Sequence, residues 1–167
     1  MAKTLYENYA SVKDLFNRAD DALGMKLSKY CFEGPASDLT KTSICQPALF
    51  LHGMAVVQVL KEREMLGEVV AALGLSLGEL TAHAFAGTFS FETGLKIVAE
   101  RGRLMQEACD ASEGAMASFI GGSVEAVAEY CKEFDVDMSN LNCPGQVVIS
   151  GEAKKIAAAV AAAKERK

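Results

Sequence analysis

The segment "GLSLG" (74–78) places Ser76 between two glycines, where an apolar stretch gives way to a helical pattern. A strand that turns sharply into a helix needs small flanking residues, because larger side chains would clash, and it presents the serine hydroxyl outward. The N-terminus of the following helix stabilises negative charge. The spacing therefore predicts a nucleophile elbow with Ser76 as a catalytic nucleophile. The alternative is a turn serine that caps the helix through its hydroxyl.

A serine nucleophile normally needs a base within hydrogen-bond reach. The sequence contains two histidines, His52 and His83. His83 is seven residues beyond Ser76, or about 10 Å along a helix that rises 1.5 Å per residue. His52 lies in an apolar helical segment. We expect neither histidine to act as the base.

A second candidate is Arg101, in the helix predicted at 91–109. With 100° of rotation per residue, Lys96, Glu100, Arg103 and Glu107 share a face that is typical of a solvated surface. The opposite arc is apolar and comprises Leu95, Ile97, Val98, Leu104, Met105, Ala108 and Cys109. Arg101 falls near the middle of this arc. A guanidinium there needs an anion, either a protein carboxylate or the carboxylate of a ligand, unless it extends to the edge of the arc.

The elements that must position these residues follow from hydrophobic periodicity and turn residues. The pattern predicts helices at 5–23, 47–62, 78–86 and 91–109, a connector before Pro47, and a short buried strand at 68–73. Beyond residue 112 it predicts the order β-α-β-β-α, from "GAMASFIGG", "SVEAVAEYCKEF", "VDMSNL", "QVVISG" and "EAKKIAAAVAAAKERK". This order is a split βαβ unit without its last strand. A lone strand in the first part also needs partners. We therefore expect a piece of a larger α/β fold.

Composition narrows the class of protein. The chain has 167 residues, is 50% hydrophobic and carries a net charge of −5, which argues against disorder and gives no basic stripe for nucleic acid. The N-terminus has no signal-peptide core, and no stretch approaches the roughly 18 uninterrupted apolar residues of a membrane span. We expect a cytoplasmic protein. The five cysteines form no C-x-x-C pair, so we expect reduced, mostly buried thiols, no metal and no cofactor.

Several segments together resemble the malonyl-CoA:acyl carrier protein transacylases and the related acyltransferase domains of fatty-acid and polyketide synthases. They match in order and spacing along nearly the whole chain: "LYENY", "LFNRADDALG", "CFEGP", "TSICQPALF", "GLSLGE", "AGTFSFETGLKIVAERGRLMQEA", "GAMAS" and "NLNCPGQVVISG". The resemblance implies a partial α/β-hydrolase-like domain at 1–112 and an incomplete ferredoxin-like subdomain at 113–167.

The resemblance also implies roles for individual residues. Ser76 would take malonyl from coenzyme A as an ester and pass it to the phosphopantetheine thiol of acyl carrier protein, in fatty-acid synthesis. Arg101 would pair with the free carboxylate of the malonyl group, and the N–H of Leu77 would form one arm of the oxyanion hole. Asn142 and Met105 would have supporting roles.

Three departures limit this transfer of roles. Leu75 stands where the family motif usually has histidine, which we expect to alter the pocket rather than to abolish the nucleophile. The family's opening strand with its Gly-Gln-Gly-Ser-Gln loop and its later Pro-Phe-His stretch, which holds the catalytic histidine, are both absent from this sequence. We therefore expect the chain alone to be nearly inactive, and its ends to reflect a partial reading frame. The alternative is a non-catalytic half-protein that binds acyl carrier protein or complements a partner.

Overall fold

The computed structural model describes residues 1–165. The chain divides into two compact units, Met1–Ala108 and one that starts at Cys109. The helices that begin in the first unit are α1 (Lys3–Asn8), α2 (Ala10–Leu23), α3 (Leu27–Glu33), α4 (Ala36–Leu39), α5 (Thr42–Glu62), α6 (Leu77–Phe85) and α7 (Phe91–Asp110). The second unit contains β1 (Gly114–Ile120), α8 (Val124–Phe134), β2 (Asp137–Cys143), β3 (Gln146–Glu152) and α9 (Ala153–Glu165). The chain is therefore a mixed α/β protein with a small three-stranded sheet.

The first helical segment differs from the prediction. The expected single helix at 5–23 is divided at Tyr9, whose φ of −127° and ψ of 119° are extended. The C-terminus of α2 lies where it was predicted, because Gly24 adopts the left-handed conformation (φ 62°) that glycine reaches without steric cost. The predicted connector, which starts at "FEGP" (32–35) and ends at Pro47, also holds regular structure, since α4 and the beginning of α5 lie within it.

The helix α5 is the central element of the first unit. It begins at Thr42 rather than at Pro47, and Pro47 is buried inside it beside Ala48, Phe50 and Leu51. Burial of this face outweighs the backbone hydrogen bond that proline cannot donate. By length and composition α5 could span a membrane, but the core helix of a globular protein passes the same test. Its contacts with α2, α3, α4 and α6 are those of a core helix.

The prediction of a buried strand at 68–73 is wrong. Residues 67–74 have no regular secondary structure. The side chains of Val70 and Leu73 are 89% and 94% exposed, rather than buried. The physical reason is the absence of a partner: within the described residues of the first unit no other strand is present to pair with this segment.

The second unit has the predicted order β-α-β-β-α. Its strand β3 lies between β1 and β2 and pairs with both in antiparallel register. The core of this unit is formed by β3, α8 and α9 and comprises Val127, Cys131, Val147, Ile149, Ile156 and Ala159. The hydroxyl of Ser123 caps α8 by accepting a hydrogen bond from the N–H of Ala126, as expected for a serine at this position.

The thiols are free, but the expectation that they are mostly buried is wrong. Cys31 and Cys131 are buried and Cys45 is half-buried, whereas Cys109 and Cys143 are exposed. Burial raises the pKa of the Cys31 thiol to about 11. The number and spacing of cysteines in the sequence carry no information about their exposure.

Candidate active site

Ser76 occupies a strained turn immediately before α6. Its φ of 53° and ψ of −104° lie outside the regions that a residue with a side chain normally adopts, and such strain is typical of functional sites. The Ser76 side chain makes no capping hydrogen bond to α6. The alternative interpretation, in which the hydroxyl caps the helix, therefore does not describe this serine.

The glycines around Ser76 have different roles. A Cβ on Gly74 would lie 1.9 Å from the carbonyl carbon of Gly78 and 2.1 Å from its oxygen, so only glycine fits at position 74. A Cβ on Gly78 would meet nothing within 4 Å. The steric requirement predicted for both flanking glycines thus applies to Gly74, where the incoming chain passes over the first turn of α6.

Arg101 reaches the serine from α7. Its Nη2 donates a hydrogen bond of 2.8 Å to Oγ of Ser76, and its Nη1 donates to Oε1 of Gln46. Both acceptors are neutral. In the part of the chain that the structure describes, no carboxylate forms an ion pair with Arg101. The structure therefore brings the two predicted residues together, and no counterion for the guanidinium is present among the residues that it describes.

Gln46 is a site residue that the sequence reasoning missed. Its side chain is only 6% exposed. Its Nε2 donates to Oγ1 of Thr42 at 2.7 Å and to Sδ of Met105 at 3.1 Å. Through Gln46, Met105 also joins the residues around Arg101. A signal was present in the sequence, since Gln46 is the polar residue within the apolar run "ICQPALF".

The orientation predicted for α7 needs a correction. The face with Lys96, Glu100, Arg103 and Glu107 is exposed, as expected, and Arg103 pairs with both glutamates. The buried line, however, comprises Phe91, Gly94, Leu95, Val98 and Gly102. Leu95 and Val98 of the predicted arc belong to this line, whereas its other members are exposed: Ile97, Leu104, Met105, Ala108 and Cys109.

The physical reason is close contact at the glycines of α7. A Cβ on Gly94 would lie 2.8 Å from the ring of Phe50, and one on Gly102 would lie 2.7 Å from the carbonyl oxygen of Thr42. Glycines therefore share the face towards α5 with apolar residues such as Phe91, whose ring stacks on that of Phe50. Arg101 consequently lies half-buried beside the buried line, where it reaches Ser76.

Leu75, Leu77 and the two histidines were also considered in the sequence as neighbours of Ser76. Leu77 is the first residue of α6, where N–H groups have no partner inside the helix. Leu75, at the position of the family histidine, is exposed. Nδ1 of His83 lies 3.2 Å from Oγ1 of Thr88, and within the described residues the hydrogen-bond partner of Ser76 Oγ is Arg101 rather than either histidine.

Asn142 belongs to the second unit. It lies at the end of β2, where its Nδ2 donates a hydrogen bond of 3.1 Å to Oε1 of Gln146 across the β2–β3 hairpin. Among residues 1–165, no group of three or more histidine, cysteine, aspartate or glutamate side chains is placed to hold a metal ion.

Comparisons with known proteins agree with the resemblance read from the sequence. Residues 1–167 match the acyl transferase domain family. The chain is 43% identical over 170 residues to the malonyl CoA-acyl carrier protein transacylase of Bacillus subtilis (strain 168), with 99% of this chain and 53% of that protein covered.

Solved structures give the same result. The acyl-carrier-protein-S-malonyltransferase of Bartonella henselae superposes with a TM-score of 0.90 at 40% identity, over 99% of this chain and 55% of that one. A malonyl-transacylase in complex with its type II polyketide synthase acyl carrier protein superposes with a TM-score of 0.88 at 36% identity, over 99% and 55%. The chain spans about half the length of the relatives that it matches. A match along its whole length, with a common fold, shows that the chain belongs to the acyl transferase domain family.

Proposed function

We propose that this chain carries the malonyl-binding part of a malonyl-CoA:acyl carrier protein transacylase. The observation that supports this most directly is the 2.8 Å contact between Arg101 Nη2 and Ser76 Oγ, made by a guanidinium whose hydrogen-bond partners among residues 1–165 are neutral. A malonyl group has a carboxylate and a thioester carbonyl separated by one methylene. The carboxylate anchor must therefore lie close to the nucleophile, as Arg101 does.

The proposed reaction has two steps. Ser76 Oγ attacks the thioester carbonyl of malonyl-CoA, the C–S bond breaks, and coenzyme A leaves as the thiol with the serine proton. The phosphopantetheine thiol of acyl carrier protein then attacks the acyl-serine ester, and the serine oxygen regains a proton. The malonyl group is transferred intact, with no change of oxidation state.

Two groups support the transition state in this proposal. Leu77 is the first residue of α6 and directly follows Ser76, and in this proposal its N–H donates to the oxyanion that develops on the thioester oxygen. Arg101 fixes the other end of the malonyl group and so orients the carbonyl for attack. We assign supporting roles to Met105, which contacts Gln46, and to Asn142 in the second unit.

We infer that residues 1–112 form part of an α/β-hydrolase-like domain and residues 113–167 part of a ferredoxin-like subdomain. The sheet order β1-β3-β2 supports the second assignment, because a split βαβ unit places its third strand between the first two. We also propose a cytoplasmic location and a role in fatty-acid synthesis, with malonyl-CoA and acyl carrier protein as partners.

We further propose that the chain alone is nearly inactive as a transacylase. In the described residues Ser76 Oγ has no hydrogen bond to a histidine, and loss of one member of a serine triad costs several powers of ten in rate. The same observation favours the second candidate function, a non-catalytic half-protein that binds acyl carrier protein. These two functions differ in whether Ser76 becomes acylated.

Intact mass after incubation with malonyl-CoA tests the proposal. We expect a malonyl adduct on the wild-type chain, none on Ser76→Ala, and a weaker one on Arg101→Ala. Arg103→Ala, which alters the exposed face of the same helix, is the matched control and should leave the adduct unchanged. A folded chain that forms no adduct but binds acyl carrier protein would favour the half-protein instead.

A further inference from the structure

We propose that Gln46 is a positioning residue that holds Arg101 against Ser76 while leaving the guanidinium charge available to the substrate carboxylate. This inference rests on the proposed function. It concerns the selection of carboxylated acyl groups over neutral ones. The contacts that carry it are those of a buried amide whose hydrogen-bonding groups are all engaged within the first unit.

The orientation of the Gln46 amide is fixed by its partners. Nε2 donates to Thr42 Oγ1 and to Met105 Sδ, which leaves Oε1 to accept from Arg101 Nη1. Rotating the amide by 180° would place its N–H groups against the guanidinium, which has only donors. Thr42 and Met105 therefore ensure that Arg101 meets an acceptor.

A further contact between α5 and α7 holds the hydrogen-bonded residues around Gln46 in place. The backbone N–H of Thr42, at the start of α5, donates to Oε1 of Gln106 on α7 at 3.0 Å. Gly102 allows this approach, because a Cβ there would lie 2.7 Å from the carbonyl oxygen of Thr42. Arg101 directly precedes Gly102 on α7. The close contact at Gly102 therefore keeps Gln46 at a fixed place relative to Arg101.

The chemistry of the side chain at position 46 matters as much as its place. A carboxylate there would form an ion pair with Arg101 and would compete with the carboxylate of an incoming malonyl group. An amide gives a directional hydrogen bond without compensating the charge. Glutamine therefore positions the arginine and preserves its attraction for an anionic acyl group.

The test compares the binding of malonyl-CoA with that of acetyl-CoA, which lacks the carboxylate, by titration calorimetry on the full chain. The variants are Gln46→Glu, which adds charge at constant size, and Gln46→Met, which removes the acceptor. Gln58→Glu, on the same helix α5, is the matched control. Circular dichroism establishes that each variant is folded.

We expect the wild-type chain to prefer malonyl-CoA. Gln46→Glu should reduce this preference by about tenfold or more, because the new carboxylate compensates the guanidinium charge. The affinity for acetyl-CoA should stay unchanged in this variant, and Gln58→Glu should keep the wild-type preference. Gln46→Met should also reduce the preference, because the Arg101 guanidinium loses the acceptor that orients it. An unchanged preference in folded Gln46→Glu, or an equal loss of both ligands, would overturn the inference. If Arg101→Ala leaves the preference unchanged, or the wild type has none, the proposed function itself fails.

Discussion

At the scale of single residues, the fork geometry of Arg101 should matter as well as its charge. Separate nitrogens of the guanidinium contact Ser76 and Gln46, and a lysine ammonium, as a point charge, cannot reproduce this arrangement. We expect Arg101→Lys to lower the rate of malonyl adduct formation about tenfold, since a hydrogen bond to a charged group is worth about 1.5–3 kcal/mol. Time-resolved intact mass measures this rate. A lysine variant as fast as the wild type would mean that charge alone suffices.

The thiols allow a second prediction at this scale. Burial raises the pKa of Cys31 to about 11, whereas Cys109 and Cys143 are exposed. Because the thiolate is the reactive species, we expect iodoacetamide at mildly alkaline pH to modify Cys109 and Cys143 first, and Cys31 only after unfolding. Peptide mapping over time distinguishes the sites. Equal rates at Cys31 and Cys109 in the folded chain would contradict the observed burial.

Between elements, the contact of α5 with α7 depends on Gly102. Gly102→Ala would place a methyl group 2.7 Å from the carbonyl oxygen of Thr42, so the helices must separate. We expect a loss of about 1–3 kcal/mol in the free energy of unfolding, as for other overpacked sites, together with a weaker malonyl adduct. Urea denaturation measures the first effect. Gly67→Ala, where the added methyl would meet nothing within 4 Å, should change neither quantity.

A second pair of elements, α2 and α7, is joined by Arg18 and Glu92 at 2.5 Å. The hydrogen bond from Arg18 lowers the pKa of Glu92. A lowered folded-state pKa contributes stability above the unfolded value, and this contribution disappears as pH falls through the folded value. Both side chains are exposed by more than a third, so we expect Glu92→Gln to cost less than about 1 kcal/mol near neutral pH and nothing in acid.

Urea denaturation at several pH values tests this dependence. Glu68→Gln is the control, because Glu68 is exposed and lies in the irregular segment before α6. A destabilisation by Glu92→Gln that persists in acid would have to come from packing rather than from the ion pair.

Sequence reasoning found those elements whose own pattern determines them. The end of α2 at Gly24, the long helix α7 and the order β-α-β-β-α follow from local turn residues and periodicity. Features that depend on neighbours were missed or wrong: the apolar run 68–73 has no strand beside it, and the buried face of α7 is set by Gly94 and Gly102. Gln46 was missed for the same reason, since its partners lie on another helix.

Over the whole molecule, each unit has its own hydrophobic core, and the two cores share no residue. Leu51 is fully buried in the first and Ile149 in the second. The second core is formed by few residues, so it has little stability to lose. We therefore expect the two units to respond separately to the loss of core side chains.

Hydrogen exchange followed by mass spectrometry tests this expectation, because it reports on each segment separately. Ile149→Ala and Leu51→Ala should each cost about 2–5 kcal/mol by leaving a cavity. We expect Ile149→Ala to accelerate exchange in β1, β3 and α9 with little change in α2 and α5. Leu51→Ala should accelerate exchange in α2 and α5 with little change in β1, β3 and α9. If either variant accelerates exchange equally throughout residues 1–165, the chain unfolds as one cooperative unit, and the separation of its cores has no thermodynamic consequence.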